Sequence, residues 1–225
     1  MQVARAFGAP APSIDREALV RDLAMDEGAV AAVERNVEEL EDDRRSDLDA
    51  AVESARCIAI ERWRDERIAS LMADLTSDPP HSTMPDAGLL PVGLARILTG
   101  LVDIRVRDTI VWELSRARHP DVAVARLTAA LRAAPPGYAA ATASVLALAL
   151  WQRGDGARAA IALDRALADD GEYRLARLIG DSLGAGLPPG AWQAVIDDLP
   201  RARCRMPDGV HGVDGVDGQP AAASV

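Results

Sequence analysis

The stretch from Ala143 to Leu167 constrains the fold of this chain most strongly, because it predicts two helices joined by a tight turn. Its sequence is ASVLALALWQRGDGARAAIALDRAL, in which two apolar runs flank Gly154, Asp155 and Gly156. Glycine readily adopts the left-handed conformation that ends a helix, and aspartate is a good cap for the start of the next one. We therefore predict that Gly154 ends the first helix and that Asp155 caps the second.

The helix pair over residues 143–171 resembles one tetratricopeptide repeat, the unit of a stacked helical scaffold. Small and large side chains occupy the packing positions of that motif, namely Ala147, Ala159 and Ala166 with Leu146, Leu150 and Leu163. Gly171 stands where the motif usually has proline. Because about three repeats are needed to bury a continuous core, two interpretations stay open, a packed pair of helices or part of a ligand-binding superhelix.

The composition favours an all-α fold made of antiparallel helical hairpins. The 225 residues include one Phe, two Tyr and four Trp, so the core must consist of Ala, Leu, Val and Ile. Alanine-rich chains with little Thr, Tyr and Phe favour helices over sheets. A chain of this length buries enough surface to fold without disulfides or metal ions.

All 25 basic residues are arginine, which excludes several kinds of chemistry. Schiff-base catalysis, a phosphate-loop lysine and a kinase-type lysine each need an amine that this chain lacks. The net charge is −10, and residues 34–66 hold twelve Asp or Glu against six Arg. Because phosphate binding needs a basic surface, we expect no nucleic-acid partner.

The two cysteines, Cys57 and Cys204, are far apart in sequence and typical of free thiols in a reducing compartment. The first residues, MQVARAFGAPAPS, lack the apolar core of a signal peptide. No run reaches the roughly eighteen apolar residues of a membrane-spanning helix. We therefore expect a cytoplasmic protein without a membrane partner.

Two helices are predicted near the N-terminus. Ser13 is the expected N-cap of the first, which ends near Ala24. The second begins around Asp26, where valines and a leucine recur at three- and four-residue spacing. The charged cluster at residues 41–45 contains no apolar side chain, so the second helix either ends there or crosses solvent.

A third helix, capped by Ser46 or Asp47, is expected to end at the proline-rich stretch TSDPPHSTMPDA. Proline removes a backbone donor and disfavours helix in the residue before it, so we place a domain boundary there. The predicted organisation is a flexible lead (1–12), acidic N-terminal helices (13–76), a proline-rich loop (77–88), a helical-hairpin domain (89–200) and a disordered tail (201–225).

Beyond that loop, four residues are expected at helix starts: Pro91, Asp103, Pro120 and Pro189. Linkers of two to six residues predict that consecutive helices pack as antiparallel neighbours. The tail is rich in Gly, Asp, Pro and Ala and includes GVDGVDG at 212–218. It buries too little apolar surface to offset its ordering entropy, which predicts disorder.

Three tryptophans near helix ends have arginines close in sequence, namely Trp112 with Arg107, Trp151 with Arg153, and Trp192 with Arg201. Such pairs bind an acidic peptide or a planar ligand through cation–π contacts and forked hydrogen bonds. The alternative is that the indoles fill gaps in an alanine core. The predicted contact surface is a concave face that holds Arg107, Trp112, Trp151 and Arg153.

Asp103, Arg107 and Asp108 form the densest charged group within an apolar stretch. Asp103 and Arg107 are four residues apart, a spacing that allows an ion pair on one helix face. The group is therefore either a buried charged site or an exposed ion pair with a helix cap.

No catalytic residue, metal site or cofactor is predicted. The three histidines, His81, His119 and His211, are not spaced as metal ligands and have no nucleophile beside them. Asp214 and Asp217 lie in a stretch too short for a calcium loop, which also lacks the bidentate glutamate.

Three segments together resemble an actinobacterial family, domain of unknown function 4192. They are APSIDREALVRDLA (11–24), LARILTGLVDIRVRDTIVWEL (94–114) and LALALWQRGDGARAAIALDRALADDGEYRLARLIGDSLGAGLPPGAWQ (146–193). The resemblance implies no known activity. It also implies a further N-terminal half that this chain, which starts close to the serine-led helix, is expected to lack.

From these observations we expect a protein-interaction or scaffolding module with no catalytic activity of its own. One alternative is an enzyme or enzyme remnant whose chemistry uses Asp103, Arg107 and Asp108. Another is an enzyme remnant or partial chain of a larger family member whose active site lies in a missing N-terminal half. A further hypothesis, a nucleic-acid-associated regulator, is opposed by the acidic charge. The sequence does not specify the partner, the process or the oligomeric state.

Overall fold

The structure is a computed structural model that describes residues 15–53, 57–77, 89–117 and 120–198. Within these ranges the chain forms ten α-helices and no β-strand, which confirms the predicted all-α fold class. In chain order the helices are α1 (Arg16–Asp22), α2 (Glu27–Glu53), α3 (Cys57–Thr76), α4 (Pro91–Gly100), α5 (Ile104–Leu114), α6 (Pro120–Arg132), α7 (Ala139–Gln152), α8 (Gly156–Asp169), α9 (Arg174–Gly184) and α10 (Pro189–Asp198).

Several predictions concern residues outside the described ranges. These are the flexible lead (1–12), the proline-rich loop (77–88, of which Ser77 alone is described) and the disordered tail (201–225). The same holds for Ser13, His81, His119, Arg201, Cys204, His211, Asp214 and Asp217.

The predicted helix pair at 143–171 is present as the hairpin of α7 and α8. Gly154 has a φ of 81°, a left-handed conformation that favours glycine and lets the chain reverse. The Asp155 side chain accepts a hydrogen bond from the Arg158 N–H at 3.1 Å and so caps α8. Because only residues 153–155 separate the two helices, α7 and α8 pack side by side and antiparallel.

Helix α7 forms the centre of the molecule. Twelve of its fourteen residues are buried, on every side of the helix. A helix that is apolar all round has to be surrounded by other elements, and α7 contacts α4, α5, α6, α8, α9 and α10. Its small alanines let these neighbours approach closely without large aromatic side chains between them.

Helix α2 does not end at the charged cluster of residues 41–45. Val30, Val33 and Val37 are buried at the predicted helical spacing, and the helix then continues to Glu53 with exposed charges on its surface. The cluster forms ion pairs one turn apart, between Arg44 and Glu41 and between Arg45 and Asp42. Glutamate and arginine are good helix formers, and no glycine or proline interrupts this stretch.

Two predicted helix caps are therefore wrong. Ser46 and Asp47 lie inside α2, and the third helix begins at Cys57. Asp15, rather than Ser13, is the N-cap of α1, since its carboxylate accepts the N–H groups of Glu17 and Ala18 at 3.0 and 3.3 Å. The carboxylate sits two residues closer to the helix and takes two of the donors that would otherwise be unpaired.

The N-terminal helices pack on the later ones. Side chains of α2 and α3 belong to the same buried core cluster as those of α4 to α8, including Val33, Leu71 and Leu75. At the contact of α3 with α4, a Cβ atom on Gly100 would lie 2.6 Å from Leu71 Cδ1, so this close approach requires glycine. The helices before residues 77–88 and those after them therefore share one core.

Not every helix packs mainly on its sequence neighbour. The prediction is confirmed for α6 with α7, α7 with α8 and α8 with α9, but α5 makes its main contacts with α3 and α7. The linker determines where the next helix starts. The direction of α5 depends instead on its apolar residues Val106, Ile110 and Leu114, which find their partners elsewhere in the core.

The predicted starts of the later helices are confirmed. Pro91 and Pro189 begin α4 and α10, Pro120 is the first residue of α6, and Asp103 is the N-cap of α5. None of the helices in the described residues has the length and hydropathy needed to cross a lipid bilayer.

Candidate functional site

Trp151, which we predicted as part of a contact surface, lies in the core. Its side chain is 4% exposed, and its ring centroid is 6.4 Å from that of Trp192 at an interplanar angle of 58°. This tilted geometry is a favourable arrangement for an aromatic pair. Since a partner cannot touch a side chain that is closed off from solvent, the predicted surface is wrong at Trp151, which fills space in the alanine-rich core.

Trp112 pairs with a different arginine from the one predicted. The guanidinium carbon of Arg116 lies 4.0 Å from the Trp112 ring centroid, a cation–π contact between residues one turn apart. Arg116 also donates to the carbonyl of Ile196 at 2.9 Å and pairs with Asp197, which ties α5 to α10. The four-residue spacing of Trp112 and Arg116 was the signal in the sequence that could have found this contact.

Arg107 is engaged within the protein. Its guanidinium donates to Asp108 Oδ1 at 2.9 and 2.7 Å and to the Tyr173 hydroxyl of α9 at 2.7 Å. Burial alone lowers the pKa of Arg107, but the Asp108 carboxylate and Tyr173 outweigh it, so that the pKa is raised. The guanidinium therefore stays charged and links α5 to α9.

Asp103 faces another helix. It accepts the N–H groups of Arg105 and Val106 at 2.9 and 3.1 Å as the cap of α5, and it pairs with Arg64 of α3 at 3.2 Å. The predicted ion pair between Asp103 and Arg107 is therefore wrong, because each side chain pairs with another residue. The charged group is divided between two helix contacts, one with α3 through Asp103 and one with Tyr173 through Arg107.

The two roles of Asp103 can be separated by substitution. We expect Asp103→Ala to lower the free energy of unfolding by about 1–2 kcal/mol, because it removes both the cap and the Arg64 pair. Asp103→Asn keeps the capping oxygen and should cost less than half as much. Urea unfolding followed by circular dichroism measures both values, and equal losses would show that the Arg64 pair dominates.

A cleft lies where the turn between α1 and α2 meets α6 and the α7–α8 turn. It has a volume of about 910 Å³. Its apolar lining residues are Ala29, Leu89, Leu94, Val124, Ala125, Ala129 and Leu150, and its charged ones are Asp22, Asp26, Asp121, Arg132, Arg153, Asp155 and Arg158. Thr128 completes the lining. The cleft therefore combines apolar side chains with charged ones, whose ion pairs we call its rim, and we call it the α1–α6–α8 cleft.

Ion pairs organise the rim of the α1–α6–α8 cleft. Arg158 pairs with Asp22 at 2.6 Å, and Arg132 pairs with Asp26 at 3.4 Å. The third pair joins Arg153 to Asp121. These pairs connect α8 to α1, α6 to the start of α2, and the α7–α8 turn to α6, so three ion pairs join the elements around the cleft.

Backbone contacts hold the wall of the cleft in place. The N–H of Asp26 donates to the Arg132 carbonyl at 2.9 Å, and the Arg165 guanidinium donates to the Leu23 carbonyl. The pKa of Arg165 is lowered because the guanidinium is buried. The pKa of Asp26 is also lowered, because its carboxylate accepts a hydrogen bond from the Ala29 N–H. The turn between α1 and α2 is thereby attached to α6 and α8.

Of the four predicted contact residues, Arg153 lines this cleft and the other three do not. Sequence reasoning missed Asp22, Asp26, Arg132 and Arg158 because their pairs join residues 106 and 136 positions apart. A helical sequence shows i,i+4 neighbours but gives no signal for such long-range pairs.

The polar groups of the cleft other than its arginines are four aspartates and the hydroxyl of Thr128. Among the residues that the structure describes, no set of three or more His, Cys, Asp or Glu side chains is arranged to hold a metal ion. The cleft lining contains neither a serine or cysteine nucleophile nor a histidine base. Its charged side chains form the three ion pairs described above, and aspartates outnumber arginines by one.

Comparison with protein families gives a match over residues 1–190, to a model described as Domain of unknown function (DUF4192). Neither the curated proteins nor the solved structures include a match to this chain.

Proposed function

Because the chain belongs to the family described as Domain of unknown function (DUF4192), whose description states no activity, we propose a function from the cleft itself. The protein is a helical interaction module that binds a segment of another polypeptide in the α1–α6–α8 cleft. It acts through this binding and not through catalysis.

The observation that carries this proposal is an open cleft whose lining combines apolar side chains with three ion pairs. Protein-binding surfaces commonly have an apolar centre and a polar rim. The rim is built on helices that the core holds in place, and a preformed site avoids the entropy cost of ordering on binding. The small side chains of Ala125 and Ala129 in the lining leave room for the side chains of a partner segment.

The catalytic alternative has no comparable support. Asp103 pairs with Arg64, and Arg107 pairs with Asp108 and donates to the Tyr173 hydroxyl. None of Asp103, Arg107 and Asp108 lines the α1–α6–α8 cleft.

We also propose a cytoplasmic location, on the ground that Cys57 and Cys204 are far apart in sequence and typical of free thiols.

The experiment is a selection of random twelve-residue peptides, displayed on phage, against the full chain and against Ala125→Trp. Ala125 is exposed and lines the cleft, so an indole there fills the cleft without disturbing the core. We expect the enriched peptides to bind the Ala125→Trp variant at least about tenfold more weakly, because the indole covers part of the cleft lining that they need.

The matched control is Ala160→Trp, which places the same side chain on an exposed position of α8 outside the cleft. Peptides should bind this variant as tightly as the unchanged chain. If the enriched peptides bind all three proteins equally, or if no peptide is enriched, the cleft is not the binding site and the proposal fails.

A further inference from the structure

We infer that the segment bound in the α1–α6–α8 cleft carries a lysine or arginine beside apolar side chains. This inference rests on the proposed function and specifies its partner. The partner is thus a basic polypeptide segment. It differs from the acidic peptide that the sequence alone had suggested as a ligand of the tryptophan–arginine pairs.

The charge of the cleft supports a basic partner. Four aspartates and three arginines line it, and Arg158 is shared between Asp22 and Asp155, so the lining has a net charge of −1. The whole chain carries a net charge of −10, which adds to the attraction at long range. A single added cation would balance the charges of the rim.

The exposure of the rim side chains also supports a basic partner. In the pair of Asp121 with Arg153 the side chains are 76% and 36% exposed, and in the pair of Asp22 with Arg158 they are 47% and 24% exposed. The charge that a partner meets first is therefore negative. The guanidiniums lie deeper and are already engaged by carboxylates of the protein.

The carboxylates have capacity for a further hydrogen bond. Arg153 engages Oδ1 of Asp121, and Arg158 engages Oδ2 of Asp22. A carboxylate has about four acceptor positions on its two oxygens, so an ammonium or guanidinium group of the partner can bind without displacing these arginines. Apolar neighbours of that basic residue would then lie on Ala125, Val124 and Leu94.

The experiment measures the affinity of the most enriched cleft-dependent peptide for the full chain and for the double variant Asp22→Asn/Asp121→Asn. These substitutions change the cleft from one net negative to one net positive charge. We expect the dissociation constant to rise about fivefold or more, as expected for two partly exposed charge pairs. Enriched peptides should also contain Lys or Arg beside apolar residues more often than the unselected library.

The control is Asp181→Asn/Asp198→Asn, which changes the net charge of the chain equally at exposed positions outside the cleft. It should change the dissociation constant less than about twofold, because screened charges at a distance contribute little. Cleft-dependent peptides that show no excess of basic residues, or that bind the cleft double variant normally, would overturn this inference and leave the proposed function standing. Absence of cleft-dependent binding would overturn both.

Discussion

Trp151→Ala is expected to lower the free energy of unfolding by about 3–5 kcal/mol, the usual loss for a buried aromatic side chain cut back to a methyl group. Trp151 is buried near the end of α7, against the ring of Trp192. Its removal leaves a void that the small alanines of the neighbouring turns cannot fill. Chemical denaturation followed by circular dichroism, with the same m-value for both proteins, measures this loss.

Trp112→Ala is the comparison, because Trp112 is a partly buried tryptophan that stacks on Arg116 near the surface. We expect it to cost clearly less than Trp151→Ala. A loss below about 1 kcal/mol for Trp151→Ala would contradict its place in the core. The result also matters for function, since a binding defect in a Trp151 variant would reflect loss of the fold and not loss of a contact.

Asp169→Ala is expected to lower the free energy of unfolding by about 2 kcal/mol. Asp169 is the last residue of α8, and its carboxylate accepts the N–H groups of Gly137 at 2.7 Å and Ala140 at 2.9 Å. The N-cap residue of α7, Tyr138, has no capping side-chain bond of its own. Asp169, at the C-terminal end of α8, therefore caps the N-terminal end of the central helix α7.

Asp164→Ala provides the control on the same helix. Asp164 forms an exposed ion pair with Arg16, and such pairs contribute less than about 1 kcal/mol. Thermal or urea unfolding of the two variants should therefore rank Asp169→Ala well below Asp164→Ala in stability. Similar losses for both would mean that the carboxylate contributes surface charge and not a cap.

Local signals predicted most of the helices. Pro91, Asp103 and Asp155 mark helix starts because a missing N–H or a side-chain acceptor satisfies the first turn whatever the rest of the chain does. Gly154 ends α7 for an equally local reason, its positive φ. The charged cluster at 41–45 was ambiguous because polar residues alone do not break a helix.

Of the residues that line the candidate site, the sequence analysis predicted Arg153 alone as a contact residue. The reason given for that prediction was wrong. Arg153 was chosen as the neighbour of Trp151, but the indole points into the core and the guanidinium pairs with Asp121 at the cleft. Two residues that are two positions apart at a helix end face different directions, and sequence proximity does not show which of them meets solvent.

The sequence by itself determined the helical fold class, the hairpin of α7 and α8, and the helix caps built within a few residues, because each depends on propensity or on a neighbour along the chain. The tertiary structure alone decided the burial of Trp151, the cap that Asp169 provides to α7, and the cleft whose rim joins Asp22 to Arg158. Those features depend on residues that are distant in sequence and come together only when the apolar faces of the helices pack.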